Sequence, residues 1–181
     1  NDNFVLLDDW NKMINYEGKD YLNNIRDLAI IQYEACLRYS ELYGELSYYE
    51  KNGKFKHLFK KNGKYFWSIL EPKSTDREKD TIKTIFVNNK ILKMIETNNL
   101  PHLIEPQKAN LYIKELAKEL DIEYSQRIKT HTLRHSKVTH LENDGFTEKE
   151  VRVLSGHKSS SAYQGYNHST IDLDNHPLPM D

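Results

Sequence analysis

The last third of the chain concentrates the residues that can break a phosphate ester. It reads His131-Thr132-Leu133-Arg134-His135-Ser136, then Leu154-Ser155-Gly156-His157-Lys158-Ser159, then Tyr166-Asn167-His168. Arginine is permanently charged, and its planar fork of donors fits phosphate oxygens. Histidine can donate or move a proton near neutral pH. A tyrosine hydroxyl can attack and remain as an ester. These are the parts needed to break a phosphodiester without a metal.

The spacing resembles the tyrosine recombinase/integrase family, which carries a His-x-x-Arg box, a Leu-Gly-His box and a tyrosine a nearly fixed distance later. His131 and Arg134 fit the first box and His157 the second, with Ser155 where a small residue is usual. Tyr166 falls nine residues after His157 and is followed by Asn167-His168, much like the family's Tyr-Thr-His. The neighbouring Tyr163 has the wrong spacing and is read as packing. Upstream, Ala35-Cys36-Leu37-Arg38-Tyr39-Ser40-Glu41-Leu42 is similar to the family's Thr-Gly-Leu-Arg-Ile-Ser-Glu-Leu segment. That match makes Arg38 the first catalytic arginine and Glu41 a residue that helps hold the site, with Cys36 replacing the usual glycine. The resemblance runs from about residue 5 to residue 168.

The family also places a catalytic lysine in a turn between two strands. Lys73, in Glu71-Pro72-Lys73-Ser74-Thr75, resembles that turn, and Lys79 competes because the turn looks longer than usual. A lysine suits the task because it can give a proton to the leaving oxygen if burial or neighbouring cations lower its pKa. The resemblance therefore implies a catalytic set of Arg38, Lys73, His131, Arg134, His157 and Tyr166. It implies a site-specific DNA recombinase acting through a 3′-phosphotyrosyl link, with double-stranded DNA as partner and a tetramer of itself on that DNA. Neither ATP nor a metal is required, because the covalent link keeps the bond energy.

The elements that must position these residues can be read from periodicity. Residues 8–16 read as a helix capped by Asp8 or Asp9, with Trp10, Met13 and Ile14 on one face. Residues 20–36 form a stronger helical pattern, with Leu22, Ile25, Leu28, Ala29, Gln32 and Cys36 on one side, as expected of a central buried helix. Arg38 lies at its C-terminal end, with a short helical turn through Leu42. Asn52-Gly53 and Asn62-Gly63 are hairpin-turn signals. They bound three antiparallel strands over 55–59, 65–70 and 81–87. Helical periodicity then returns over 88–97, 107–120, 132–143, 147–155 and 159–167, with Gly145 and Gly156 suited to helix ends. The expected fold is α+β, mostly helical, with one small sheet. It forms one catalytic domain over 1–181: a core over about 5–168 and an irregular tail over 169–181. The family's N-terminal DNA-clamping domain is expected to be missing.

Composition bounds the alternatives. A chain of 181 residues can bury a proper core. One cysteine excludes an internal disulfide framework and fits a reducing compartment, here the cytoplasm. No apolar run approaches a membrane span. The net charge of −1 is low for a DNA-binding protein, but charge is segregated. Residues 1–50 hold ten acidic and four basic residues; residues 51–90 hold eleven basic and four acidic, a net of +7. Lys60, Lys61 and Lys64 in that stretch are candidates to face a phosphate backbone, against the plain reading of a solvated lysine face.

Three rival readings are weighed. A type IB topoisomerase or telomere resolvase would use similar chemistry. A non-catalytic DNA-binding relative would keep the fold, but every catalytic position here holds a competent residue. A metal hydrolase could be built on His131, His135 and His140, whose first pair has ligand spacing. The glutamate of a His-Glu-x-x-His motif is absent, however. His135 is otherwise expected to be a buried support residue, and His140 and His168 either to back the site residues or to be structural.

Overall fold

A helix that is apolar on several sides must lie inside the molecule, and Asp20–Glu34 (α2) is that helix. Leu22, Ile25 and Leu28 are 1% exposed or less, as expected of an interior face. Each such side chain contributes roughly 1.5–3 kcal/mol by leaving water. The computed structural model describes residues 3–71 and 81–155. Around α2 pack Leu7–Ile14 (α1), Tyr39–Asn52 (α3), Asn89–Glu96 (α4), Pro106–Glu119 (α5) and Thr130–Asn143 (α6). Trp10 of α1 stacks on Tyr33 of α2 with ring centroids 4.3 Å apart. A last described helix, Glu148–Ser155 (α7), packs on α6 and on the sheet. The expected helix over 159–167 and the tail lie outside the described residues.

The sheet is three-stranded and antiparallel in the order β1-β2-β3, from Leu58–Lys61 (β1), Lys64–Glu71 (β2) and Thr81–Phe86 (β3). Asn62 and Gly63 both have positive φ, 52° and 77°, and close the β1–β2 hairpin, in which Lys61 pairs with Lys64. That is the conformation an Asn-Gly pair favours. Asn52-Gly53 does something else. Gly53, at φ 70°, ends α3, its N–H donating to Tyr49 O at 2.7 Å. The same dipeptide serves either end use because both need a left-handed residue.

Trp67 and Ile69 of β2 and Ile85 of β3 turn one face of the sheet into the core. Lys83 lies on that face, paired with Ile69 and 2% exposed.

Capping chemistry sets the helix ends. Thr147 precedes α7 and forms a reciprocal box with Glu150: its Oγ1 accepts from Glu150 N at 3.2 Å, and its N–H donates to Glu150 Oε2 at 2.7 Å. Asn88 Oδ1 caps α4 by accepting from Ile91 N. Neither Asp8 nor Asp9 caps α1, which starts earlier, after Leu6. Asp9 instead accepts from Tyr124 Oη at 2.7 Å. No helix among the described residues is long and apolar enough to cross a membrane.

Candidate active site

Arg38 is placed by the way α2 stops. Cys36 takes φ 51°, while Cys36 N donates to Tyr33 O at 3.1 Å and Leu37 N to Gln32 O at 2.9 Å. This paired pattern is a Schellman ending, whose left-handed position glycine usually fills. The related segment's glycine thus has a physical reason, and Cys36 adopts the same backbone at some cost in strain. The chain then turns directly into α3, with Arg38 at its N-cap and its side chain 53% exposed.

Arg134 and His131 come from α6, which also packs on α2. Gln32 joins the two regions from inside the core. Its Nε2 donates to Leu37 O at 3.1 Å and to Thr130 O at 2.8 Å, next to Arg38 and His131 respectively. A buried amide with both protons used in this way fixes the turn after α2 against the start of α6. Ser136 Oγ donates to Thr132 O and accepts from Val5 N, and His140 contacts Tyr33 Oη at 2.6 Å and Val5 O at 2.8 Å. The core side of α6 is thereby locked.

The carboxylate of Glu41, one turn into α3, gathers the cations. Its Oε2 accepts from Arg38 N at 2.7 Å and lies 3.1 Å from Lys83 Nζ and 3.8 Å from Arg134 Nη1. Its Oε1 lies 3.9 Å from Arg38 Nη1. The two arginines read from the sequence therefore meet at the glutamate read beside them. Lys83 was not legible as part of this group, because an isolated lysine in a strand gives no pattern. Only its inward register marks it. Burial, and then the Arg134 charge, push the Lys83 ammonium below the ordinary lysine range, against the opposing pull of Glu41.

His131 lies on the exposed face of α6, and its Nε2 is 2.9 Å from the Nε2 of His135. The expectation of a buried supporting role for His135 is overturned. Residues four apart share a helix face, so His135 emerges beside exposed His131, and the buried support comes from Ser136 and His140. The same geometry separates His140 from the other two histidines of the metal reading. His140 points into the core toward Tyr33, away from the His131–His135 pair, and no group of three metal-ligating side chains forms among the described residues. Partial burial, followed by the charges of His135, Arg134 and Arg38, lowers the His131 pKa below 6.5. Its imidazole is therefore neutral at neutral pH and able to accept a proton.

Lys73, Lys79, His157 and Tyr166, as well as Tyr163 and His168, lie outside the described residues. The strands that flank residues 72–80 are in place, so Lys73 and Lys79 both belong to the connection between β2 and β3. Ser155, the last described residue of α7, precedes His157 by two positions. On the β1–β2 hairpin, Lys60 and Lys61 are exposed and Lys64 is half-buried, with Lys60 Nζ 5.4 Å from the Tyr65 ring centre.

Known proteins resemble this chain in sequence and in fold. The chain is 29% identical to Tyrosine recombinase XerC of Thermodesulfovibrio yellowstonii over 181 residues, taking in 94% of this chain and 58% of that protein. Tyrosine recombinase XerC of Halalkalibacterium halodurans is 46% identical over 48 residues, 26% of this chain and 16% of that protein. The chain thus spans little more than half the length of the first relative and a smaller part of the second. The fold matches that of the XerH site-specific recombinase bound to its difH substrate, with a TM-score of 0.62 and 15% identity over 87% of this chain and 47% of that one. It also matches the Tn1549 transposon integrase in complex with circular intermediate DNA, with a TM-score of 0.60 and 16% identity over 93% of this chain and 62% of that one. The model of the phage integrase family covers residues 7–172, and the chain belongs to that family, the tyrosine recombinases.

Proposed function

We propose that residues 5–168 form one catalytic unit that breaks and rejoins double-stranded DNA. Tyr166 Oη attacks the scissile phosphorus. A phosphorus–oxygen bond to the tyrosine forms, the bond to the 5′ oxygen breaks, and a 3′-phosphotyrosyl link and a 5′ hydroxyl result. The tyrosine proton passes toward His131, and Lys73 of the β2–β3 connection, with Lys79 as its competitor, supplies a proton to the leaving oxygen. Rejoining reverses these steps with a different 5′ end.

The observation that carries this reading is the convergence of Arg38 and Arg134 on Glu41. Two guanidiniums delivered from α3 and α6 suit the negative charge that concentrates on non-bridging oxygens as the phosphorus becomes five-coordinate. Donors held in advance for that charge are usually the largest catalytic contribution. In this reading His157 adds a third donor. Two features support DNA as the partner. The XerH and Tn1549 proteins are described bound to DNA, and the β1–β2 hairpin offers exposed lysines. Assembly as a tetramer on DNA, and action in the cytoplasm where that DNA lies, belong to the same proposal.

The test is covalent capture in the presence of EDTA. A nicked duplex carrying a site selected from randomised DNA on the wild-type chain should yield a protein–DNA adduct that survives denaturant. Strand exchange between two such sites would favour a recombinase, whereas relaxation of supercoils without exchange would favour the topoisomerase alternative. No adduct on any selected site would overturn the proposal.

A further inference from the structure

Lys83 is the one buried ammonium within reach of Glu41 among the described residues, and the reading above gives it no task. Its side chain is 2% exposed and that of Glu41 3%. Nζ lies 3.1 Å from Glu41 Oε2, 3.4 Å from Cys36 O and 3.5 Å from Ser155 O. Those three acceptors belong to three different parts of the site. Cys36 is the left-handed residue of the turn that delivers Arg38. Glu41 is the carboxylate shared by Arg38 and Arg134. Ser155 is the last described residue of α7, and its carbonyl turns toward Lys83.

An ammonium carries three protons and no acceptor, which suits three converging oxygens. The geometry is also costly. A lysine in a strand's core-facing register loses its hydration, and a methionine there would fill similar volume without that cost. Burial also keeps Nζ from the exposed side, where Arg38 and His131 emerge, so Lys83 is not placed to protonate a leaving oxygen.

We propose that Lys83 is a positioning residue for phosphate chemistry: its ammonium pins the Glu41 carboxylate, and through it sets where the Arg38 and Arg134 guanidiniums stand. Without Lys83, the cations left to Glu41 among the described residues are guanidiniums; the carboxylate is drawn closer to them, so their donors turn from the phosphate toward it. This rests on the DNA-cleaving reading above.

The experiment measures single-turnover cleavage by the wild-type chain and Lys83→Met on three otherwise identical nicked duplexes. One has an ordinary scissile phosphodiester. The second has a methylphosphonate there, which removes one charged non-bridging oxygen. The third has a 5′-bridging sulfur, whose departure needs no proton. Thermal melts of both proteins accompany the rates. The expected result is a melting temperature close to wild type, a loss of at least about tenfold on the phosphodiester and the sulfur substrate alike, and a clearly smaller defect on the methylphosphonate. Equal loss on all three substrates, with or without a lowered melting temperature, would reduce Lys83 to a structural role and overturn the proposal. Rescue by the bridging sulfur would make Lys83 the proton donor and also overturn it, as would an unchanged rate on the phosphodiester. Failure of the wild-type chain itself to form an adduct would sink the DNA-cleaving reading instead.

Discussion

Arg134 Nη1 lies 3.8 Å from Glu41 Oε2, and both side chains are 3% exposed. A charge pair this deep is retained at the expense of its hydration. Removing one partner leaves the other charge buried and uncompensated. Glu41→Gln keeps the shape of the side chain but leaves Arg134 and Lys83 facing a neutral amide. The expected outcome is a loss of about 3–5 kcal/mol in urea unfolding, the range for breaking a buried pair. An unfolding midpoint equal to wild type would mean that the carboxylate does not hold these cations together.

The two arginines should separate stability from chemistry. Arg38 is half exposed, so Arg38→Ala should change unfolding free energy by no more than about 0.5 kcal/mol. It should nevertheless slow DNA cleavage by about 10²–10³, the usual loss of a donor aimed at developing charge. Arg134→Ala should slow cleavage similarly and also lower stability, because it opens a hole beside Glu41. Single-turnover rates with parallel melts check both, and a cleavage loss below about tenfold for Arg38→Ala would take that residue away from the phosphate.

The group of charges around Glu41 is partly legible in the sequence. Arg38, Glu41, His131 and Arg134 were readable from short motifs, and the two arginines meet at the Glu41 carboxylate. The central place of α2 was readable too, because its apolar positions recur at helical spacing. What was illegible depends on tertiary context. α3 runs to Asn52, well past the short turn expected, because Gly44 and Ser47 weaken its pattern and only Tyr39, Glu41, Leu42 and Leu46 are buried. Asn52-Gly53 reads as a hairpin until the helix before it is known to extend that far. Lys83 stands in a core register that an alternation rule assigns to an apolar residue. His135 differs from His140 only in which side of α6 faces α2.

The lysine of the β2–β3 connection is decided by leaving-group chemistry. Lys73→Ala should fail on an ordinary phosphodiester and recover on a duplex with a 5′-bridging sulfur, since a thiolate leaves without a proton. Recovery by Lys79→Ala in its place would move the role along the connection. Recovery by neither would remove proton donation from that connection altogether.

His140 should make folding sensitive to acid. Tyr33, its hydroxyl kept protonated by burial, donates to Nδ1, and Nε2–H donates to Val5 O, so the folded state holds a neutral ring. Burial is the main reason the His140 pKa falls below 6.5; the Val5 carbonyl and Asp144 pull it up, and Lys137 pushes it down. Below pH 6.5 the unfolded chain therefore takes up a proton that the folded chain resists. Stability falls as pH drops from 6.5 toward the folded value and rises as pH climbs back. His140→Asn should cost about 1–3 kcal/mol at pH 7.5, from hydrogen bonds a shorter side chain cannot make, and should shrink the further loss at pH 5.5. Urea titrations at the two pH values measure this; an undiminished acid loss in the variant would assign the effect to other groups.

The most direct test of the account is the identity of the residue that becomes joined to DNA. Adduct trapped on a nicked suicide duplex would be digested with protease and nuclease, and the modified peptide sequenced by mass spectrometry. The account predicts a nucleotide on Tyr166, and no adduct from Tyr166→Phe despite DNA binding close to wild type, because that change removes a single oxygen. A nucleotide on Tyr163, or an adduct that persists in Tyr166→Phe, would contradict it.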